Sequence, residues 1–309
     1  MSEARLSRGL APALLLGLLS LACGASGSAN SANASQSCNS ADSPRSVDIR
    51  HGGLGRSYTV HLHPKIDKAP LIIGLHGGWG DGEVFAKQSG LPERARAAGY
   101  STVFPDGHLK AWNAGRCCAL PARNNIDDVG FIKAVVADLV DRGCADPKRV
   151  YATGFSNGAM MAHRLACEAP ALLGGIAPVA GGLMVDNCPA TQAMPALLIQ
   201  GMEDQRIPWE GGVYDEIYRP AMRTVASALA ARNACSSAAP QDYSQGPAQC
   251  SRYACDQSAP VTSCGLSGVG HQWPGGRSYF PRLLGGNTRK WSATERILEF
   301  FDSLERAGQ

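Results

Sequence analysis

The sequence predicts an α/β fold in which helices cover both faces of a mostly parallel central sheet. Continuous apolar segments such as 69–75 are typical of strands that are buried on both faces. Longer segments with helical spacing separate these strands, and this alternation is typical of parallel sheets. The chain has 309 residues, of which 44% are hydrophobic and 18% charged, enough apolar material for one α/β domain with a buried core.

Strand and helix patterns follow one another along residues 46–309, which are predicted to form one domain. Strands are predicted at 57–63, 69–75, 101–104, 149–153, 176–179 and 196–200. Helices are predicted at 84–98, 131–139, 159–167, 222–231 and 294–304. Asp127 or Asp128 is positioned to cap the second of these helices. A hairpin is predicted at 250–264.

The first 22 residues are typical of a signal peptide. Arg5 and Arg8 precede an apolar segment at 10–21, which is shorter than a membrane-spanning helix requires. A transmembrane anchor is the alternative, and the short apolar segment argues against it. Residues 23–45 are rich in Ser, Ala, Asn and Gly, which predicts a flexible tether. We therefore expect an exported protein.

Two outcomes of signal-peptide cleavage are open. The segment Ala22-Cys23-Gly24 resembles the cleavage site of bacterial lipoproteins, at which Cys23 would be lipidated and would tether the protein to a membrane. Ordinary cleavage near Gly24 or Ala25 would release the protein instead. The chain is expected to be either secreted or a cell-surface lipoprotein.

The cysteine content also favours export. The chain has eleven cysteines, and ten remain if Cys23 is lipidated. An even number in an oxidising compartment predicts disulfides. Three pairs are predicted: Cys250–Cys264 across the hairpin, Cys235–Cys255, and Cys167–Cys188. Four cysteines have no predicted partner: Cys38, Cys117, Cys118 and Cys144.

Residues 154–158, Gly-Phe-Ser-Asn-Gly, are the clearest chemical motif. They lie between the predicted strand 149–153 and the predicted helix 159–167, as a G-x-S-x-G nucleophile elbow requires. Glycine avoids the clash that side chains would make in so tight a turn, and the strained backbone exposes the serine hydroxyl. Ser156 is therefore the predicted nucleophile of an α/β hydrolase.

A serine hydroxyl needs a base beside it, and the base needs an acid to orient it. In α/β hydrolases the acid and then the histidine follow the serine along the chain. Of the seven histidines, only His271 follows every candidate acid. The acid is expected just after the strand 196–200, where Asp204 and Glu203 compete. Two other carboxylates fit less well: Glu210 and Asp215.

A glycine-rich turn at 76–80 follows the apolar strand 69–75. Its His-Gly-Gly start is typical of the loops that supply one oxyanion donor. The main-chain N–H groups of Gly78 and Asn157 are therefore predicted to stabilise the oxyanion of a tetrahedral intermediate.

Other kinds of chemistry have little support in the sequence. His61 and His63 share one face of a strand, but no third ligand can be identified, so no metal is predicted. No cofactor is predicted either. The formal net charge of +3 gives no electrostatic reason to expect a nucleic-acid partner.

Trp112 and Trp273 are the candidates for substrate binding. Both are expected in loops at the carboxyl ends of parallel strands, where open α/β sheets bind their substrates. Packing within the loops is the alternative role for either indole. If both border the cleft, methyl hydroxycinnamates should be hydrolysed better than 3-hydroxybutyrate oligomers.

The chain from about residue 46 onward resembles the bacterial polyhydroxybutyrate depolymerase/feruloyl esterase family. The segments that carry the resemblance are 75–78, 112–118, 127–131, 154–161, 164–168, 177–181, 208–212 and 270–276. The resemblance implies the α/β-hydrolase fold and a triad of Ser156, Asp204 and His271. The family usually has His-Gly-Thr where this chain has residues 200–202, Gln-Gly-Met, and Thr where this chain has Gln272. These differences bear on substrate preference.

Together these observations predict an exported serine carboxylesterase whose catalytic domain is 46–309. It would hydrolyse feruloyl, aryl or polyhydroxyalkanoate-type esters, from small molecules to polymers, through an acyl-enzyme on Ser156. An acyltransferase or a peptidase on the same fold is one alternative, because a fold does not fix its chemistry. An inert surface binding lipoprotein is another, and the complete set of triad and oxyanion residues argues against it.

Overall fold

The computed structural model describes residues 44–236, 238–256 and 259–307. The predicted signal peptide at 1–22, the proposed lipidation site at Cys23, the tether up to residue 43, and Cys38 all lie outside the described residues. The first described strand begins at Arg45.

Among the described residues, ten strands form one sheet in the order β1-β2-β4-β3-β5-β6-β7-β12-β11-β10. The central strands from β4 to β12 are parallel, and the pairs at both ends are antiparallel. A separate hairpin pairs β8 with β9. The strands are β1 Arg45–His51, β2 Leu54–His61, β3 Leu71–Leu75, β4 Ser101–Pro105, β5 Val150–Phe155, β6 Gly175–Val179, β7 Ala196–Gly201, β8 Gly212–Tyr214, β9 Ile217–Arg219, β10 Gln241–Gln245, β11 Ala248–Arg252 and β12 Val261–Leu266.

Helices cover both faces of this sheet, as the sequence predicts. On β3, Ile73 packs into one hydrophobic cluster and Ile72 into another, because successive side chains point to opposite faces. The first cluster includes residues of α4, α5 and α6, and the second includes residues of α1, α2 and α8. The helices are α1 Gly82–Ser89, α2 Leu91–Ala97, α3 Ala119–Arg123, α4 Asp128–Asp141, α5 Asn157–Glu168, α6 Met222–Arg232, α7 Pro281–Leu284 and α8 Ala293–Ala307.

One predicted helix is two helices in the structure. The prediction at 84–98 was wrong at its middle, because Gly90 has φ 58° and ends α1. Pro92 then lies in the first turn of α2, where its missing N–H costs no hydrogen bond. The predicted cap of α4 is confirmed, since Asp127 accepts a hydrogen bond from the N–H of Gly130.

The disulfides include all three predicted pairs. Cys167–Cys188, Cys235–Cys255 and Cys250–Cys264 are confirmed, and the last joins directly opposed residues of β11 and β12. Two cysteines without a predicted partner, Cys117 and Cys118, are bonded to each other. Cys144 is also disulfide-bonded.

Two features are absent from the described residues. No helix in this part of the chain is long and apolar enough to cross a bilayer. No group of three or more His, Cys, Asp or Glu side chains in it is arranged to hold a metal ion.

A buried histidine on α5 makes the folded state sensitive to acid. His163 is 1% exposed, and burial lowers its pKa from 6.5 to about 4. As the pH falls from about 6.5 to about 4, His163 becomes protonated in the unfolded chain but stays neutral in the folded protein. The free energy of unfolding therefore decreases over this range. We predict that His163→Met reduces this loss by up to about 3 kcal/mol, from 1.36 kcal/mol per pKa unit. Urea unfolding at a series of pH values measures it.

The matched control is His108→Met, because His108 is only partly buried in the loop after β4. That variant should follow the wild-type profile. If His163→Met loses as much stability with acid as the wild type does, His163 does not carry this sensitivity.

Candidate active site

Ser156 lies at the turn between β5 and α5. Its backbone has φ 55° and ψ −119°, a conformation that costs a non-glycine residue free energy. The two glycines of the motif make the turn possible. A Cβ at Gly154 would lie 2.5 Å from the carbonyl carbon of Gly158, and a Cβ at Gly158 would collide with the carbonyl oxygen of Leu75. The turn is therefore packed against the end of β3, and Ser156 lines a cleft.

The structure brings Ser156, His271 and Asp204 into one hydrogen-bonded chain. Nε2 of His271 lies 2.9 Å from Oγ of Ser156, and its Nδ1 lies 2.7 Å from Oδ2 of Asp204. His271 is 5% exposed and Asp204 is 3% exposed. In this geometry an imidazole can accept the serine proton while the carboxylate orients the ring and stabilises its charged form.

The loop after β7 fixes the carboxylate of Asp204. Its Oδ1 accepts hydrogen bonds from the N–H groups of Arg206 and Ile207, at 2.8 and 2.9 Å, which leaves Oδ2 for the histidine. Gln200 is also buried, and its side-chain amide donates to the carbonyl of Ile207. These contacts hold the acid in one orientation.

Glu203, the competing acid, has a different contact. Its carboxylate accepts a hydrogen bond from the N–H of Val269 at 3.0 Å, and its own N–H donates to the carbonyl of Val269 at 3.0 Å. Glu203 therefore joins the loop of Asp204 to the loop of His271. Both of the weaker candidates, Glu210 and Asp215, are exposed.

Gly201 and Gly270 allow close main-chain contacts on both sides of the loop that carries His271. A Cβ at Gly201 would collide with the carbonyl of Val269, and a Cβ at Gly270 would collide with the carbonyl of Leu284. The N–H of His271 donates to that same Leu284 carbonyl at 2.6 Å. The position of the imidazole thus follows from main-chain packing on both sides of its loop.

A neutral histidine orders the glycine loop after β3. The ring of His76 accepts a hydrogen bond from the N–H of Gly107 at Nε2, so its Nδ1 carries the proton and donates to the carbonyl of Gly77, both at 2.8 Å. Burial lowers the pKa of His76, which favours this neutral form. Gly78, a predicted oxyanion donor, lines the cleft together with Ser156 and Asn157.

The side chain of Asn157 holds the loop that starts at Trp112. Its Oδ1 accepts from the N–H of Trp112 at 2.7 Å, and its Nδ2 donates to the carbonyl of Trp112 at 3.1 Å. These bonds use both ends of the amide side chain. The predicted oxyanion donor is the main-chain N–H of Asn157, in the first turn of α5.

The expectation that Trp112 and Trp273 border the cleft was wrong. Both are 0% exposed, and neither lines the cleft. The indole N–H of Trp112 donates to the carbonyl of His76 at 2.9 Å, and that of Trp273 donates to Oγ1 of Thr294 at 3.0 Å. A buried indole needs such a partner, and each ring packs behind a site loop instead of facing substrate.

Other apolar side chains surround the cleft, which has a volume of about 480 Å³. Four of them are strongly exposed: Trp79, Leu109, Phe280 and Leu283. Trp79 directly follows the His-Gly-Gly turn, so its position in the motif was a signal available in the sequence. Two arginines, Arg206 and Arg219, also line the cleft, and no pattern in the sequence indicated them.

A buried ion pair fixes the loop at 112–118 from beneath. Arg56 donates to Oδ1 of Asp128 at 2.8 Å, and both side chains are almost fully buried. The other oxygen of Asp128 accepts from the N–H of Asn113 at 2.7 Å. Burial raises the pKa of Asp128, and the hydrogen bond from Asn113 and the charge of Arg56 act against this increase.

Several known proteins are similar to this chain in sequence. The family model "Esterase PHB depolymerase" matches residues 56–240. A Nocardia uniformis subsp. tsuyamanensis protein provisionally named esterase NocK is 32% identical over 80% of this chain and 79% of its own length. Feruloyl esterase C of Emericella nidulans is 29% identical over 59% of this chain and 63% of its own, and feruloyl esterase B of Piromyces equi is 31% identical over 47% and 28%.

Solved structures share the fold at low sequence identity. The acetyl xylan esterase from Aspergillus awamori has a TM-score of 0.60 and 14% identity, and the match covers 84% of this chain and 99% of that one. The S-formylglutathione hydrolase from Agrobacterium tumefaciens has a TM-score of 0.55 and 12% identity, covering 84% and 94%. The fold is therefore the α/β-hydrolase fold.

The packing of the elbow predicts that replacing two different glycines by alanine has very different effects on stability. Gly158→Ala places a methyl group on the carbonyl of Leu75, whereas Gly55→Ala meets no heavy atom within 4 Å. We expect Gly158→Ala to cost about 2–4 kcal/mol of unfolding free energy, because the backbone must move. Gly55→Ala should stay within about 0.5 kcal/mol. Equal stability of the two variants in urea unfolding would contradict the close contact at the elbow.

Proposed function

This chain belongs to the esterase PHB depolymerase family, and we propose that it is an exported serine carboxylesterase that works through an acyl-enzyme on Ser156. The observation that carries the proposal is the chain of hydrogen bonds from Ser156 through His271 to Asp204, at 2.9 and 2.7 Å. Serine, histidine and a carboxylate in this geometry make a nucleophile out of an otherwise unreactive hydroxyl.

In the proposed mechanism, Oγ of Ser156 attacks the ester carbonyl carbon while Nε2 of His271 takes the hydroxyl proton. The main-chain N–H groups of Gly78 and Asn157 bind the oxyanion of the tetrahedral intermediate. The intermediate collapses, the C–O bond to the alcohol breaks, and the alcohol leaves with the proton from His271. Water then attacks the acyl-enzyme by the same steps and releases the acid.

Several observations support ester substrates with an apolar or aryl group. The relatives from Emericella nidulans and Piromyces equi are named feruloyl esterases, and the family description names PHB depolymerase. The exposed apolar side chains around the cleft offer contact area to a ring or to an aliphatic chain. Feruloyl, aryl or polyhydroxyalkanoate-type esters are therefore the proposed substrate class.

Export is the second part of the proposal. The disulfides Cys167–Cys188, Cys235–Cys255 and Cys250–Cys264 support it, because stable disulfides are typical of oxidising compartments. The signal peptide and lipidation at Cys23 are proposed from the sequence alone.

The test of the mechanism is removal of the nucleophile. Ser156→Ala should lower kcat on a 4-nitrophenyl ester by several orders of magnitude, as loss of a triad member does in serine hydrolases. The variant should also lose labelling by a fluorophosphonate probe, which reacts with activated serines. A folded Ser156→Ala protein with near wild-type turnover would refute the proposal.

Two neighbouring carboxylates provide the matched control. Asp204→Asn should lower kcat by about 10³–10⁴-fold, because the amide favours the wrong imidazole tautomer. Glu203→Gln keeps an acceptor for the N–H of Val269 and should change kcat much less. Equal effects of the two substitutions would show that Asp204 has no special role.

The exposed aromatic rings predict a preference among esters. Trp79 is 89% exposed at the edge of the cleft. A ring–ring contact adds about 0.5–1.5 kcal/mol beyond area burial, which is up to about tenfold in kcat/KM. Trp79→Ala should therefore lower kcat/KM for methyl hydroxycinnamates by about that factor and spare short acetate esters. Leu109→Ala removes an exposed non-aromatic neighbour and should not discriminate between them. A uniform loss on all esters from Trp79→Ala would contradict an aromatic contact.

A further inference from the structure

An arginine in the cleft wall has no anionic partner among the described residues. Arg219 ends β9 and lines the same cleft as Ser156, and it is 5% exposed. Its guanidinium lies 4.0 Å from the sulfur of Met184 and 3.8 Å from the sulfur of Cys117. Its Nε has no hydrogen-bond partner. Of five N–H donors, none meets an oxygen acceptor within the described residues.

Arg56 is a buried arginine with a structural role, and its contacts can be compared with those of Arg219. Arg56 is 6% exposed, nearly the same as Arg219. Its guanidinium is paired with the carboxylate of Asp128 at 2.8 Å and packs 3.7 Å above the ring of Phe131. A buried cation without such a partner destabilises the fold, because it loses its hydration and gains no ion pair or hydrogen bond to an oxygen. Arg219 is such an unpaired buried cation, and it lies in the wall of the cleft.

The two sulfur atoms that contact the guanidinium of Arg219 do not neutralise its charge. Gly115 has φ 91°, and a Cβ there would lie 2.5 Å from the main-chain oxygen of Met184, so this close packing brings the loop of Cys117 onto Met184. Both sulfur atoms are uncharged, since Cys117 is bonded to Cys118. The side chain stays cationic at neutral pH, although burial lowers its pKa.

One carboxylate in the cleft acts on Arg219 through space. Asp215 lies in the turn between β8 and β9 and is exposed, and its charge favours the cationic form of Arg219. It makes no ion pair within 4.0 Å of that guanidinium. No salt bridge therefore has to break before an anion can pair with this guanidinium.

We propose that Arg219 binds a free carboxylate of the substrate, so that this esterase prefers esters that carry an ionised carboxyl group in addition to the scissile ester bond. The proposal rests on the proposed hydrolytic function of Ser156 and specifies its substrate class. A guanidinium presents parallel N–H donors that match the two oxygens of a carboxylate. Such a pair forms strongly in a cleft from which the bound substrate excludes water.

The experiment compares charged and neutral esters of matched shape. One pair places the carboxylate on the acyl side, 4-nitrophenyl hemiglutarate against 4-nitrophenyl valerate. The other places it on the alcohol side, 4-acetoxybutanoate against butyl acetate. In the wild type, kcat/KM should favour the charged member of at least one pair. Arg219→Met should lower that ratio by at least about tenfold, the loss of one charged hydrogen-bonded contact.

Two further variants complete the test. Arg219→Lys keeps the positive charge but lacks the parallel N–H donors of the guanidinium, so it should retain part of the preference for charged esters. Arg206→Met removes the other arginine of the cleft and should leave the ratio near the wild-type value. The proposal is overturned if the wild type shows no preference in either pair, or if Arg219→Met leaves the ratio unchanged.

Failure of the proposed function gives a different result. If Ser156 is not the nucleophile, Ser156→Ala continues to hydrolyse the neutral esters whatever the residue at 219. If only the carboxylate proposal is wrong, the neutral esters are still hydrolysed through Ser156 and the charged ones gain nothing from Arg219.

Discussion

The close contact between the turn at Ser156 and the end of β3 is the constraint on which the site depends. Gly154 and Gly158 let α5 begin directly against the carbonyl of Leu75. That contact places the serine hydroxyl and the first N–H groups of α5 beside the glycine loop that follows β3. The proposed nucleophile and the proposed oxyanion donors therefore follow two strands that are already paired in the sheet, β3 and β5.

The proposed acid and base reach the serine by the same means. Their loops follow β7 and β12, which pair in parallel. Glu203 and Gly201 pack the first loop against the second, and Gly270 packs the second loop against Leu284. Main-chain contacts thus set distances that side-chain packing alone would leave loose.

Residues whose chemistry is tied to a motif were predictable, and residues whose role depends on packing were not. Ser156 and His271 follow from the motif and the chain order, and the family resemblance selects Asp204 over Glu203. The structure places the three side chains together. Trp112 and Trp273 were misassigned because a loop next to a site has an inner and an outer side, and the sequence does not say which side an indole takes. Arg219 was missed because strands of three residues, as in β8 and β9, show no periodicity.

The composition of the outermost strands has a consequence for how the protein behaves at high concentration. Every second residue of β1 is exposed, and these are Ser46, Asp48 and Arg50, while β10 exposes Gln241, Asp242 and Ser244. An unpaired strand edge is a template on which another chain can add a strand and start an aggregate. Polar and charged side chains on both outermost strands make such edge-to-edge growth unfavourable.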